Sequence, residues 1–460
     1  MRKEKDSIGY FDIPDDAFYG IHTARAVDNF GEGRHDGLFV TAYLQVKKAA
    51  ALANGELGFL DPERAGAIVS AIDALIADGS YGDIVVNPLS GGAGTSLNMN
   101  INEVVANHAL ALSGRGKGDY GHIHPLDHVN LHQSTNDTYP SALRIAMLVH
   151  LNRLEGELAS LQEALQAKEK EFAGIVRLGR TELQDALPMT VGMQFSAWAE
   201  AIARDRWRIF KARERIKALN LGGTAIGTGF NAPRRYIFLV LEKLKEITRL
   251  GVTRAENMLE ATQNLDAVVE VSGLMKTLAV NLLKIAEDIR LLSSGPAGGI
   301  GELKLEPLQE GSSIMPGKVN PVMPEFVSQA ALLVMANDQA ITHAAGLGNL
   351  ELNQFSPLVA TLMLRNFTLL SRAVTGLDRK VIRTIGVNED RMKAHLTNSV
   401  ALLTYLTAHI GHDLAADVYM KMKASGKSAR EIIVGEGIMT PEKFDELTAP
   451  ERISMAGYRP

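Results

Sequence analysis

The sequence LRIAMLVHLNRLEGELASLQEAL, residues 143–165, is the clearest indication of the fold of this chain. Its apolar residues recur at steps of three and four positions, which is the spacing of one face of an α-helix. The residues of this first seam are Leu143, Met147, Leu151, Leu154, Leu158, Leu161 and Leu165. A pattern that continues for this long predicts a helix of about twice the average length, as is typical of a helical bundle.

A second seam with the same spacing lies further along the chain. Its residues are Val268, Val271, Met275, Leu278, Leu282, Ile285, Ile289 and Leu292. Helices are also predicted at residues 191–217, at 325–345 and after Pro233. Strand patterns are short and few, at residues 83–86 and 175–178. This balance predicts an all-α protein with a long central helical bundle.

The distribution of these patterns predicts three domains. Residues 1–135 hold shorter elements with many Gly and Asn, residues 136–387 hold the long helices, and residues 388–460 hold short segments broken by glycine. Seams on several long helices can also pack against other copies of the chain, so we expect an oligomer. The alternative is a monomeric bundle in which every seam is buried within one chain.

Composition and charge exclude several classes of function. The 460 residues include 48 Lys and Arg and 53 Asp and Glu, a net charge of −5, which argues against binding nucleic acid over a broad surface. Cysteine is absent, so disulfides, thiolate nucleophiles and Cys-based metal sites are excluded. The N-terminus predicts no signal peptide, and the charge-free stretch 84–102 is too rich in Asn and Gly to face lipid. We therefore expect a cytoplasmic protein that binds neither nucleic acid nor a membrane.

Four polar segments each precede a predicted helix, and they are the candidate binding residues. They are Gly91–Ser96, His132–Asp137, Gly179–Asp185 and Gly311–Pro321. The start of a helix offers free backbone N–H groups and a partial positive charge, which together bind anions. Several such ends with hydroxyl groups and one lysine would suit a small dicarboxylate. The alternative for each segment is that its Ser, Thr and Asn residues only cap a helix.

Two familiar nucleotide motifs are excluded. The pair Gly317 and Lys318 resembles the end of a phosphate-binding P-loop, but that motif requires glycine at position 312 and Ser or Thr at 319, where this chain has Ser312 and Val319. The glycine-rich stretches at 222–229 and 295–301 do not follow a strand of a βαβ unit, so a dinucleotide fold is not expected.

The segment GSSIMPGKVNP, residues 311–321, is similar to the signature loop of the aspartase/fumarase superfamily. Nearly the whole chain shares this resemblance, and it is closest to the aspartate ammonia-lyase branch. The other matching segments are YGIHTARAVDNF (19–30), GGAGTSLNMNINEV (91–104), HPLDHVNLHQSTNDTYP (124–140), NLGGTAIGTGFNAP (220–233) and IRLLSSGP (289–296).

The resemblance implies an all-α homotetramer with a core of twenty helices and with active sites at which three chains meet. The implied reaction is the reversible anti elimination of ammonia from aspartate, or from an aspartate-like 2-aminodicarboxylate, to give fumarate. It implies neither a cofactor nor a metal. Three alternatives stay open: a fumarate hydratase, a lyase for an N-substituted aspartate, and a non-catalytic structural oligomer.

The resemblance also implies roles for individual residues. Ser312 would be the base that removes the proton from Cβ, activated by the closed loop and by Lys318. Lys318 and Asn320 would bind the substrate carboxylate on which charge develops, where fixed donors are needed. The other substrate-binding residues would be Thr95, Ser134, Thr135, Asn136 and Ser313, with Thr181 supplied by a second chain.

Glu182 departs from the family pattern, because family members commonly have His or Gln at this position. In many of them that His pairs with a glutamate, which here would be Glu325. Two carboxyl groups in contact cannot both ionise cheaply, so one of the two would keep a proton. Alternatively, Glu182 faces a cationic part of the substrate, which argues against fumarase and leaves the exact amine open.

Overall fold

The computed structural model describes residues 1–455. Its helices, in chain order, are α1 (Ile21–Phe30), α2 (Gly37–Glu56), α3 (Pro62–Asp78), α4 (Thr95–Leu112), α5 (Thr135–Glu171), α6 (Val191–Ala212), α7 (Arg234–Thr248), α8 (Met258–Gln263), α9 (Asp266–Leu292), α10 (Val322–Gly346), α11 (Ser356–Leu377), α12 (Glu389–Asn398), α13 (Ala401–Ile410), α14 (His412–Ser425), α15 (Ala429–Gly435), α16 (Pro441–Leu447) and α17 (Pro450–Ile453). Two π-helical turns lie at Pro125–Val129 and Asp378–Ile382, and a 3₁₀ turn lies at Arg213–Ile216.

The strands of the described residues form four separate pairs. They are β1 (Arg2–Lys5) with β2 (Tyr10–Ile13), β3 (Val176–Thr181) with β4 (Gln184–Thr190), β5 (Ala218–Leu219) with β6 (Thr253–Arg254), and β7 (Leu303–Lys304) with β8 (Gly386–Val387). Only the β5–β6 pair is parallel. A mostly helical chain with such small sheets confirms the predicted all-α class.

The two seams lie on the two longest helices. Helix α5 has 37 residues and α9 has 27, and every residue of both seams is buried within this single chain. The seams therefore do not provide a surface on which other copies of the chain could pack. The oligomer was predicted from such packing, so this reason for expecting it is wrong. Large apolar side chains are instead exposed elsewhere on the long helices, among them Trp207 (63 %) on α6 and Leu332 (55 %) on α10.

The other predicted elements agree with the structure except at one place. Helices α6 and α10 confirm the helices predicted at 191–217 and 325–345, and β3 confirms the second strand. The strand predicted at 83–86 is wrong, because this segment forms only a single β-bridge between Val86 and Glu32. Its backbone is held by side chains: the amides of Val85 and Val86 donate to Asn100 Oδ1 at 2.9 and 3.3 Å.

The chain divides into two compact units. The first comprises Met1–Glu155, Arg208–Thr277 and Leu333–Leu369, and the second comprises Gly156–Trp207, Leu278–Leu332 and the described residues from Leu370 onward. In the first unit, Phe39, Tyr43 and Tyr139 form an aromatic cluster between α2 and α5. In the second unit, the ring of Phe195 packs between those of Phe172 and Trp198. Among the described residues, no helix combines the length and apolar character of a membrane span.

Candidate active site

Glycines shape the segment that leads into α4. Gly92 and Gly94 have φ of 86° and 93°, a region that favours glycine. A Cβ atom at Gly94 would overlap the ring of Tyr139 on α5. Glycine at this position therefore allows the segment to lie against α5, and it leaves Thr95, the first residue of α4, exposed.

Ser134, Thr135 and Asn136 form the start of α5 in the same unit. The Ser134 amide donates to Asp137 Oδ1 at 3.0 Å, and Ser134 Oγ accepts from the Asn136 amide at 3.2 Å. Thr135 Oγ1 accepts a hydrogen bond of 3.0 Å from Asn98 Nδ2 on α4. The structure thus brings together the beginnings of α4 and α5, and with them two of the four predicted polar segments.

A proline in α5 determines how Asn136 is held. Pro140 has no N–H group, so the carbonyl four residues before it has no partner in the helix. That carbonyl belongs to Asn136, and it accepts from Asn220 Nδ2 at 2.9 Å. The Asn136 side chain in turn donates through Nδ2 to the carbonyl of Ala225 at 2.7 Å. Both the backbone and the side chain of Asn136 are therefore fixed.

Asp137 lies behind this segment as a buried carboxylate. It accepts hydrogen bonds from the backbone amides of Ser134, Gly222 and Thr224 at 3.0, 3.0 and 3.1 Å. Burial raises the pKa of Asp137 to about 6, although these amides favour the charged form. Asp137 therefore ties the start of α5 to the turn at residues 222–224.

The segment Gly311–Pro321 is a closed loop in the second unit. The Gly311 amide donates to the Lys318 carbonyl at 3.0 Å, and Asn320 Nδ2 donates to the Gly311 carbonyl at 2.7 Å. A Cβ atom at Gly311 would overlap that Lys318 carbonyl. Within the loop, Ser312 Oγ accepts from the backbone amides of Ile314 and Met315 at 3.2 and 3.0 Å. Two fixed donors on one hydroxyl oxygen favour its negatively charged form.

The outer side of this loop is open to solvent. Ser313 and Lys318 are exposed, and the apolar side chain of Ile314 is 83 % exposed. The structure therefore brings Ser312, Lys318 and Asn320 together on one loop, but it leaves the lysine side chain free to reach a ligand.

Thr181 and Glu182 lie at the tip of the β3–β4 hairpin. Glu182 and Leu183 have φ of 52° and 62°, so both turn residues adopt the left-handed conformation of a two-residue hairpin, although neither is glycine. Thr181 pairs with Gln184 across the turn. Thr181, Glu182 and Leu183 are all exposed, Leu183 to 69 %.

The expected pair of Glu182 with Glu325 is not formed by hydrogen bonding within one chain. Glu325 lies in the first turn of α10, directly after the signature loop. In the part of the chain that the structure describes, no hydrogen bond joins these two carboxyl groups. A shared proton between them stays a prediction for an assembly of several chains.

Glu302 holds the hairpin in place. Its side chain is 1 % exposed, and its Oε1 lies 2.7 Å from Arg180 Nη2 and 2.8 Å from His395 Nδ1. Arg177 Nε lies 3.2 Å from Oε2. Burial opposes ionisation of Glu302, but the hydrogen bonds from Arg180 and His395 outweigh it, so the pKa of Glu302 is lowered. This buried carboxylate connects the β3–β4 hairpin, which carries Thr181 at its tip, with strand β7 and with helix α12.

Replacing Glu302 with glutamine should destabilise the fold by about 3 kcal/mol at neutral pH, because it leaves the buried Arg177 and the half-buried Arg180 without their counter-charge. A lowered pKa means that the charge of Glu302 stabilises the fold above the usual glutamate pKa, and that this stabilisation is lost as the pH falls through the lowered value. Urea unfolding of both proteins at pH 7 and under acid conditions measures this. If the difference in free energy of unfolding between the two proteins does not become smaller at acid pH, Glu302 does not carry the assigned negative charge.

Sequence reasoning missed Glu302, Asn98 and the role of Asp137. Asp137 and Asn98 lie inside quoted segments, and a polar residue among the apolar positions of a predicted helix is a usable signal. Glu302 gives no such signal, because its partner Arg180 is 122 positions away.

The site segments lie at helix starts and on two loops of a mostly helical chain. A family model described as "Lyase" matches residues 9–336, and one described as "Fumarase C C-terminus" matches residues 402–454. The chain belongs to this lyase family, the aspartase/fumarase superfamily.

Curated relatives match over the whole chain. Aspartate ammonia-lyase of Helicobacter pylori (strain J99) is 44 % identical over 459 residues, 98 % of each chain. Aspartate ammonia-lyase of Escherichia coli (strain K12) is 41 % identical over 465 residues, 100 % of this chain and 97 % of that one.

Two solved structures share the fold. The fumarate lyase:delta crystallin from Brucella melitensis bound to cobalt superposes with a TM-score of 0.93 at 42 % identity, over 99 % of this chain and 100 % of that one. The class II fumarase from Schistosoma mansoni superposes with a TM-score of 0.89 at 32 % identity, over 99 % of each chain.

Proposed function

We propose that this protein is an ammonia-lyase that converts aspartate reversibly into fumarate and ammonia. The observation that carries the proposal is the signature loop, in which Ser312 Oγ accepts hydrogen bonds from two backbone N–H groups. The side chain of Lys318 on the same loop is exposed. Full-length relatives at 41–45 % identity that are aspartate ammonia-lyases support the choice of substrate.

In the proposed mechanism, Ser312 acts as an oxyanion and takes the proton from C3 of aspartate. The electron pair moves into the adjacent carboxylate, then forms the double bond as the C–N bond breaks and ammonia leaves. The amides of Ile314 and Met315 would stabilise the oxyanion of Ser312, and Lys318 would stabilise the charge that develops on the carboxylate. No step of this reaction requires a metal or a cofactor.

The remaining residues would hold the substrate in place. Thr95, with Ser134, Thr135 and Asn136, would bind the second carboxylate and the amino group, and the start of α5 adds a favourable partial charge. Thr181 would come from the exposed hairpin of another chain. Ser313 and Asn320 would complete the loop side.

We infer that the active enzyme is a homotetramer in which three chains contribute to each site. The exposed apolar residues on the long helices, together with the exposed Leu183 and Ile314 beside proposed site residues, support association. A small dicarboxylate is the proposed ligand of each site.

The rise of absorbance at 240 nm, where fumarate absorbs, tests the proposed activity. Wild-type protein should produce fumarate from L-aspartate and at most a trace from L-malate. Faster turnover of malate would instead identify a fumarate hydratase. If no substrate is turned over, the remaining alternative is a non-catalytic structural oligomer. N-substituted aspartates in the same assay determine which amine leaves.

Glu182 favours a substrate with an accessible cation, because its exposed carboxylate can meet an ammonium group. Glu182→Gln should therefore raise KM for the amino substrate at least about tenfold, since a hydrogen bond to a charged group contributes about 1.5–3 kcal/mol. Inhibition by succinate, which has no amino group, should be unchanged or stronger. A shifted pH profile with an unchanged KM would instead indicate proton sharing with Glu325. If neither KM nor the pH profile changes, Glu182 neither contacts a substrate cation nor shares a proton with Glu325.

A further inference from the structure

Lys47 on α2 is buried without a counter-ion in contact. Its side chain is 0 % exposed, and it is the only buried lysine within residues 1–455. Lysine is almost never fully buried unless it is paired. The Nζ atom donates to Asn130 Oδ1 and Gln133 Oε1, both at 2.9 Å, and both acceptors are neutral amides. In the described chain, no carboxylate lies within ion-pair distance of this ammonium group.

A continuous chain of hydrogen bonds joins Lys47 to the start of α5. Asn130 Oδ1, which accepts from Lys47, also accepts from Asn98 Nδ2 and Asn102 Nδ2, both at 3.2 Å. Asn98 Nδ2 also donates to Thr135 Oγ1 at 3.0 Å. The ammonium group therefore lies beneath the segment that leads into the predicted carboxylate-binding residues.

Gln133 gives Lys47 a second connection to this segment. While its Oε1 accepts from Lys47, its Nε2 donates to the carbonyl of Val129 at 2.9 Å. Asn130 Nδ2 in turn donates to the carbonyl of Gln133 at 3.2 Å. Lys47 thus fixes both ends of the turn that directly precedes Ser134.

This arrangement is unfavourable for folding alone. Burial lowers the pKa of Lys47 to about 7, which shows the cost of keeping its charge away from water. Asp137 attracts the charge from a distance, but its oxygens already accept three backbone N–H groups. A buried charge held only by neutral groups costs stability, so a role in binding gives a reason for its presence.

We propose that Lys47 is a positioning residue for a carboxylate site at the start of α5: it fixes the turn at residues 130–133 and places a buried positive charge behind Ser134–Asn136. This inference rests on the proposed function, which places a substrate carboxylate at these residues. A buried positive charge behind a carboxylate site strengthens carboxylate binding electrostatically, and we expect an effect of about tenfold.

Lys47→Met tests this role, because methionine fills a similar volume without charge. Succinate affinity by calorimetry, KM and kcat for aspartate, and Tm without ligand are measured at pH 6.5, below the pKa of Lys47, so that most of the wild-type protein carries this charge. We expect the Kd for succinate and the KM to rise about tenfold and kcat to change less than about threefold, whether or not Tm changes. A residue that only supports the fold would lower Tm and leave the succinate Kd unchanged.

Lys48→Met is the matched control. Lys48 is the next residue of α2, and its Nζ pairs with Asp73 at 2.5 Å on the surface, so its replacement removes the same charge and should leave the succinate Kd unchanged. An unchanged succinate Kd in folded Lys47→Met overturns the assignment, as does a rise that Lys48→Met shares.

Asn130→Asp decides the question if Lys47→Met does not fold. It keeps the lysine but places a carboxylate against it, which neutralises the charge, and it should also raise the succinate Kd about tenfold. An unchanged Kd in this variant overturns the proposal. Absence of turnover in the wild-type protein would instead refute the proposed function, and succinate binding would still report on Lys47.

Discussion

Ser312→Ala should lower kcat by at least a factor of about 10²–10³, while the fold and the oligomer remain intact. Loss of one fixed donor at an oxyanion costs about 10²–10³ in kcat, and loss of the base itself should cost at least as much. The side chain is half-buried on a loop that is closed by Gly311, Lys318 and Asn320, so its removal does not open the loop. Stopped assays at saturating aspartate measure the change.

Ser313→Ala provides the comparison for this variant. Ser313 is the neighbouring serine, but it is exposed, and its proposed role is substrate binding. Its replacement should mainly raise KM and should change kcat much less than Ser312→Ala does. If Ser312→Ala keeps more than a tenth of the wild-type kcat, Ser312 is not the base.

Two inactive variants should restore activity when they are mixed. In the proposed tetramer, Thr181 and Ser312 of one site come from different chains. Random mixing of Thr181→Val and Ser312→Ala chains then leaves about a quarter of the sites with both native residues. Co-refolding at equal amounts should therefore recover about a quarter of the wild-type activity.

Native mass spectrometry confirms that the mixed oligomers have formed. Mixed tetramers without any activity would show that Thr181 and Ser312 act within one chain. The exposed position of the hairpin tip, with Leu183 at 69 % exposure, is the structural reason to expect complementation.

The long helices could be predicted because one face of each is apolar and the other is not. Helices α5 and α9 show this pattern in the sequence, and all of their seam residues are buried. Helix α11 (Ser356–Leu377) was not predicted. Its buried residues Val359, Met363, Phe367, Leu370, Val374 and Leu377 recur at the same steps of three and four positions, so the sequence does carry the helical pattern for α11 as well.

The sequence located the segments of the candidate site but not what supports them. Glycines, hydroxyls and the signature loop mark Thr95, Ser134 and Ser312 locally. Lys47 and Glu302 are partners of residues far away in sequence, and lysine and glutamate are ordinarily surface residues. Only the folded chain shows that both are buried.

The reverse reaction in D₂O tests most directly whether this protein catalyses anti elimination of ammonia. Fumarate and ammonia should give aspartate with one deuteron at C3, as the single diastereomer of anti addition in proton NMR spectra, and Ser312→Ala should give none at the same enzyme concentration. A mixture of both diastereomers, or no aspartate from wild-type protein, would contradict the proposed mechanism.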